Sequence, residues 1–198
     1  LQNNVDPVAF DVLKTHLESE WGMPLEERLQ SIDEEPIASA SIAQVHKAVL
    51  RDGETVAIKI QRPNIAKRIH SDLHSLYSLA HLLTGRIDLP GFYTPVGVVQ
   101  EFEAALNLEL NFLQEGQAIN RFRACFKDHP DIHAPQVYDK YSTGRVLVLE
   151  LLKGIQAKTG AACLFISHDL GVIKQIAGMT VVLEEGVVVE AGPTEKVF

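Results

Sequence analysis

Cysteine is scarce: Cys125 and Cys163 are the only two in 198 residues. Neither belongs to a CxxC pair or to a histidine-bearing ligand spacing, which excludes a zinc finger or a disulfide framework and fits a reducing cytosol. No apolar run approaches the ~20 residues that cross a bilayer, so no transmembrane helix is expected. The opening residues 1–6, LQNNVD, carry no basic segment and no initiator Met, so no signal peptide is expected and the chain reads as cut from something longer. Positive charge is in deficit, with a net charge of -8 and a pI of about 5.5. That argues against a nucleic-acid partner, whose phosphates need a basic face. The acidity is spread along the chain and points to no particular cation. Internal repeats and low-complexity tracts are also absent.

What is present suffices for a core. Hydrophobic residues make up 46% and charged ones 22%, ordinary values for one folded domain or one and a half small ones. The chain is organised around residues 35–63, where two apolar runs flank the turn Arg51-Asp52-Gly53-Glu54. Asp-Gly between strand-like runs is a hairpin signal, because glycine takes a positive φ without steric cost. In the second run Val56, Ile58 and Ile60 fall on one side of a strand, and Ala57, Lys59 and Gln61 on the other. A lysine inside so apolar a strand needs a partner if buried. The alternative is an edge-strand lysine that discourages aggregation.

Val56-Ala57-Ile58-Lys59 matches the third-strand lysine motif of protein kinases, whose lysine holds nucleotide phosphates and pairs with a helix glutamate. The kinase glycine-rich loop is missing; Ala38-Ser39-Ala40-Ser41 stands in its place. The words PIASASIAQVHKAVL and VAIKIQRP, in that order, closely resemble the UbiB-like atypical kinases of ubiquinone biosynthesis, which carry an alanine-rich loop. The KxGQ motif of that family has no counterpart here. The resemblance implies that Ala38, Ser39, Ala40 and Ser41 cover phosphates, that Lys59 holds them, and that Ala57 lies against the nucleotide, which would be ATP or ADP.

Before this stretch, residues 6–29 read as helix, with Phe10, Leu13 and Leu17 as an apolar stripe. Trp21-Gly22-Met23-Pro24 breaks it, and a short second helix starts at Pro24. Residues 64–83 read as helix, with Ile65, Ile69, Leu73, Leu76, Leu79, Ala80 and Leu83 on one side. His70 and His74 stand at i,i+4 but lack an accompanying acid; a solvated face is the better account, and no metal site is assigned. Residues 85–95 read as a loop. Residues 96–126 form the longest helical periodicity, with Glu115 inside the stripe Leu108, Phe112, Ile119, Phe122 and Phe126, and Glu109 among Phe102, Leu106 and Leu113. Either acid could instead sit at a stripe edge and reach water. The pattern Glu109, Asn111, Phe112, Glu115 and Asn120 resembles the ExD, aromatic, E, N series of the same family. It implies that Glu115 pairs with Lys59 and that Glu109 is the first acid of the ExD, with Asn111 replacing its Asp.

Residues 135–141 and 145–151 read as two strands about the turn Ser142-Thr143-Gly144. The following text, Glu150-Leu151-Leu152-Lys153-Gly154, resembles the kinase hinge, where the backbone at Glu150 and Leu152 would read adenine. The catalytic-loop and metal-binding aspartates of a kinase are not matched beyond it, so Mg²⁺ is expected only with a second lobe supplied. Instead, residues 160–170 (GAACLFISHDL) and 190–198 (EAGPTEKVF) resemble the end of an oligopeptide-importer ABC-transporter ATPase. His168 matches its switch histidine, but no GxxxxGK[ST] cradle accompanies it.

The expected architecture is therefore α+β. A protein-kinase-like N-terminal lobe of antiparallel sheet plus helices spans residues 1–154, and a small βαββ segment spans 155–198. In the segment a strand at residues 162–167 needs pairing partners: residues 181–183 and 187–190 can pair with each other, or the strand can dock on the sheet of the lobe, and a unit packed against the lobe is expected. The expected role is nucleotide binding by an atypical kinase or ATPase lobe, incomplete for turnover by itself. A fragment of an ABC-transporter subunit and a non-catalytic interaction module are the alternatives. The expected location is the cytoplasm or the periphery of a membrane, with a membrane or a second lobe as a further partner.

Overall fold

The computed structural model describes residues 6–86, 94–129, 132–151, 173, 177–184 and 186–197. The centre is a five-stranded antiparallel sheet with path β1-β3-β4-β5. Its strands are β1 (Leu29–Ile32), β2 (Ala38–Ser39), β3 (Ala43–Leu50), β4 (Thr55–Gln61) and β5 (Val146–Glu150). Strands β1 and β2 share one edge of β3: Ile32 lies opposite Ala48, and Ala38 opposite Val45. The Asp-Gly hairpin forms as expected. Gly53 takes φ 93°, its N–H donates to Leu50 O at 2.9 Å, and β3 and β4 then pair from Val49 and Thr55 to Ala43 and Gln61.

The alternation of β4 divides the sheet into two faces. Val56, Ile58 and Ile60 turn toward helix α1 (Phe10–Trp21) and pack with Leu13, Leu17, Trp21, Val146 and Val148 in the main core. Helix α1 is shorter than expected. Gly22 at φ 68° caps it, and Leu25–Glu27 form one 3₁₀ turn rather than a helix. Leu29, expected as helix, begins edge strand β1. Its sequence gives only a four-residue signal, and pairing with Leu50 rather than local propensity decides it.

Helix α2 (Ile65–Leu83) matches its expected span, but only Leu73 and Ala80 of its stripe are buried; Leu76 and Leu79 are exposed. It packs against α3 (Pro95–Glu109). The long 96–126 periodicity is two helices, not one: Asn111 interrupts it and caps α4 (Phe112–Cys125) by accepting from Leu113 N at 3.2 Å. The strand expected at 135–141 reduces to one bridge, Val137 opposite Leu149, because Tyr138 to Tyr141 turn back on themselves through Tyr141 N to Tyr138 O. The Ser142-Thr143-Gly144 turn is present, with Thr143 Oγ1 accepting from Val146 N at 3.1 Å.

Strands β6 (Met179–Glu184) and β7 (Val187–Pro193) pair with each other as a separate two-stranded sheet, followed by a short helix α5 (Thr194–Val197). The expected strand at 162–167, the joint at 153–160, Leu152 and His168 lie outside the described residues.

Candidate functional site

On the other face of the sheet, antiparallel register sets Ala38, Val45, Lys59 and Leu147 in one row across four strands. Directly opposed residues share a face, so the alanine loop begins two strands from the lysine and on its side. Ala57 and Leu149 form the neighbouring pair on that face.

Helix α4 closes over this row. Phe112 is fully buried with Ala43, Val137 and Leu147 in a second, smaller cluster. Its N–H donates to Gly144 O at 3.0 Å, which ties the start of α4 to the turn before β5. One turn on, Gly116 lets the helix come down onto the sheet: a Cβ there would meet Leu147 Cδ1 at 3.2 Å and Val137 Cγ1 at 3.4 Å. These anchors carry Glu115 to Lys59, whose Nζ donates to Glu115 Oε2 at 2.7 Å. The ammonium also stands 4.6 Å from the centre of the Phe112 ring. Lys59 is thus paired, not an edge lysine. Its side chain retains 27% exposure and that of Glu115 41%, so the pair opens onto solvent. An ammonium held by one carboxylate beside a ring face, and still partly open to solvent, is suited to an anionic ligand.

Ala38 and Ser39 form β2, and residues 40–43 turn into β3 with Ala40 N donating to Ala43 O at 2.9 Å. Ala40 is half-buried and Ser41 exposed. Glu150 ends β5 opposite Val56, and its N–H donates to Gln136 O at 2.9 Å. Its carboxylate accepts from Gln136 N at 3.1 Å and lies 2.9 Å from His133 Nε2. Glu109 is exposed at the end of α3 and is not among the contacts of Lys59 described above. Asn120 Nδ2 lies 3.4 Å from the Asp139 carboxylate.

The structure adds residues that the sequence reading passed over. Gln61, 2% exposed, donates from Nε2 to Leu110 O at 3.0 Å, just before the cap of α4. Arg62 donates to the alanine loop at Ala40 O and Ser39 Oγ. Asn111, read as a lost acid, is a helix cap, and its place at the head of a helical stripe was the available signal. A cleft of about 540 Å³ opens on the α1 side, lined by His16, Gln61, Arg62, Lys67 and Arg145 among others; it includes neither Lys59 nor Glu115. Burial pushes the His16 imidazole below its ordinary value there. Among the described residues no group of three or more His, Cys, Asp or Glu converges on a metal position, and no helix is long and apolar enough to cross a membrane.

A family model described as the ABC1 atypical kinase-like domain matches residues 1–182. A probable protein kinase UbiB of Photobacterium profundum is 37% identical over 157 residues, 79% of this chain and 29% of its own length. One of Sodalis glossinidius is 36% identical over 162 residues, 82% of this chain and 30% of its own. The chain thus spans roughly 30% of the length of these curated relatives. Among solved structures, the complex of Rv3197 with erythromycin from Mycobacterium tuberculosis is similar at a TM-score of 0.64 and 31% identity, covering 74% of this chain and 36% of that one.

Proposed function

This chain belongs to the ABC1 atypical kinase-like family, and from that premise we propose that residues 1–154 are the nucleotide-binding lobe of a UbiB-like kinase or ATPase linked to ubiquinone biosynthesis. The observation that carries the reading is the 2.7 Å pair of Lys59 with Glu115, set in one cross-sheet row with the start of the alanine loop. Lys59 holds α/β-phosphate oxygens of ATP or ADP. Glu115 holds the ammonium in place and aims it. Residues 38–41 cover the phosphates, Ala57 lies against the base, and the chain at Glu150 to Leu152 reads adenine. The N–H of Glu150 is already engaged by Gln136, so recognition at that residue falls to other backbone groups. Glu109 serves the lobe's surface toward a second lobe, which supplies the acidic residues for Mg²⁺ and the acceptor site; the chemistry of transfer resides there.

Residues 155–198 are proposed as a segment of separate origin, similar to the end of an ABC-transporter ATPase, with His168 as a leftover of its switch. Limited proteolysis tests this division. Preferential cleavage between residues 153 and 160 supports it, and a uniformly resistant chain contradicts it. The functional reading is tested by calorimetric titration of ADP and ATP. Wild type binds, and Lys59→Ala binds at least about tenfold more weakly. Equal binding by both, or none by wild type, overturns it.

A further inference from the structure

The strand that carries Lys59 ends at Gln61, and the next residue, Arg62, reaches back to the alanine loop at both of its ends. Its N–H donates to Ile42 O at 2.8 Å. Its Nε donates to Ala40 O at 2.8 Å, and its Nη2 donates to Ser39 Oγ at 2.9 Å and to Asp6 O at 3.0 Å. Three of these four bonds fall on residues 39, 40 and 42. The loop's own closure, Ala40 N to Ala43 O, lies between them. Arg62 is half-buried, so these bonds are partly shielded from water. A planar guanidinium can hold the carbonyl of Ala40 and the hydroxyl of Ser39 together; a lysine ammonium in the same place cannot reproduce that fork.

We propose that Arg62 is a positioning residue for phosphate binding: it fixes the height and tilt of the alanine loop over Lys59. The inference rests on the nucleotide reading above and adds a residue that acts through the loop. The arrangement is rigid in a particular sense. Lys59 and Gln61 lie on one strand two residues apart, and Arg62 follows immediately after its end. Gln61 bonds the junction at Leu110 that leads into α4 and Glu115, while Arg62 bonds the loop. Loop, lysine and glutamate are therefore referred to a single strand end. A glycine-free loop gains its defined shape from this outside brace rather than from local backbone freedom.

The test uses the full 198-residue chain and its Lys59→Ala, Arg62→Ala and Arg62→Lys variants. Dissociation constants for ATP and for adenosine are compared by calorimetry, with thermal melting as the folding control. Arg62→Ala is expected to weaken ATP on the order of tenfold while leaving adenosine within about twofold, and Arg62→Lys to recover only part of the loss. A merely structural role would weaken ATP and adenosine together, in step with the melting temperature, and that result overturns the proposal. If Lys59→Ala loses ATP and Arg62→Ala keeps it, the proposal falls and the nucleotide reading stands. If wild type does not bind ATP, both fall. If Arg62→Ala does not fold, Arg62→Lys decides: an ATP-to-adenosine ratio equal to wild type overturns the proposal.

Discussion

Replacing Glu115 by Gln should harm binding far more than folding. The carboxylate accepts one bond of 2.7 Å from Lys59, and both side chains are partly open to water at 41% and 27% exposure. Solvent screening then holds their mutual contribution to stability to about 0.5–1 kcal/mol. The Phe112 ring beneath the ammonium, at 4.6 Å, contributes a similar amount and survives the change. Stability of Glu115→Gln should therefore fall by about 1 kcal/mol or less, a urea-midpoint shift of at most about 0.3–1 M at the usual slope of ~1–3 kcal/mol/M. Binding should behave differently, because in the proposed site Glu115 acts through the position of Lys59. In a cycle of Glu115→Gln, Lys59→Met and the double variant, each single change should weaken ADP about tenfold, and the double variant should be no weaker than Lys59→Met. Urea denaturation and calorimetry on the same four proteins give both couplings. A double variant whose binding losses simply add would show that Glu115 and Lys59 act independently, and the reasoning would be refuted. A stability coupling above about 3 kcal/mol would refute the solvent-open description of the pair.

At Gly116 the neighbours are the flexible end of Leu147 and Val137 Cγ1, at 3.2 and 3.4 Å from a built Cβ. Gly116→Ala should lie within about 1 kcal/mol of wild type, its helix propensity offsetting the crowding, whereas Gly116→Val should cost about 2 kcal/mol or more and weaken ADP by lifting α4. Asn111→Ala should lose about 1 kcal/mol of cap and Asn111→Asp almost none, as urea midpoints would show; equal losses would mean that the Leu113 N bond is not what matters. His46 donates from Nδ1 to Asp33 O at 2.9 Å, and burial holds its pKa below the ordinary 6.5. The unfolded chain takes up that proton first, so the contribution of His46 to stability is present above about pH 6.5 and is lost as pH falls below it. Wild type should lose more stability between pH 7.5 and 5.5 than His46→Gln does; identical slopes would contradict the assignment.

Much of the lobe was legible because its signals are local. Asp52-Gly53 dictates a turn that only positive φ allows, and the alternation of Val56, Ile58 and Ile60 against Lys59 fixed the two faces of the sheet. What sequence hid was decided at a distance. Leu29 becomes strand because Leu50 is opposite it, and Pro135 to Tyr141 yields one bridge because its backbone turns back on itself after Tyr138, Tyr141 N donating to Tyr138 O. The pairing of Lys59 with Glu115 across 56 residues was reached through motif resemblance; periodicity alone left Glu115 free to reach water. Gln61 was placed on the lysine's face without a role, and Arg62 was passed over, because polar residues at and just past a strand end look like solvent. Only their bonds to Leu110 and Ala40 reveal the brace.

The lysine itself offers the most direct test of whether this face of the sheet is a phosphate site. An acyl-phosphate derivative of ADP or ATP delivers its acyl group to an amine lying beside bound phosphates, and peptide mass spectrometry locates the product. The account predicts modification at Lys59 that excess unlabelled nucleotide suppresses, with the exposed Lys47 and Lys67 labelled weakly and without competition. Labelling of Lys59 no greater than that of those two, or unmoved by competitor, would contradict it.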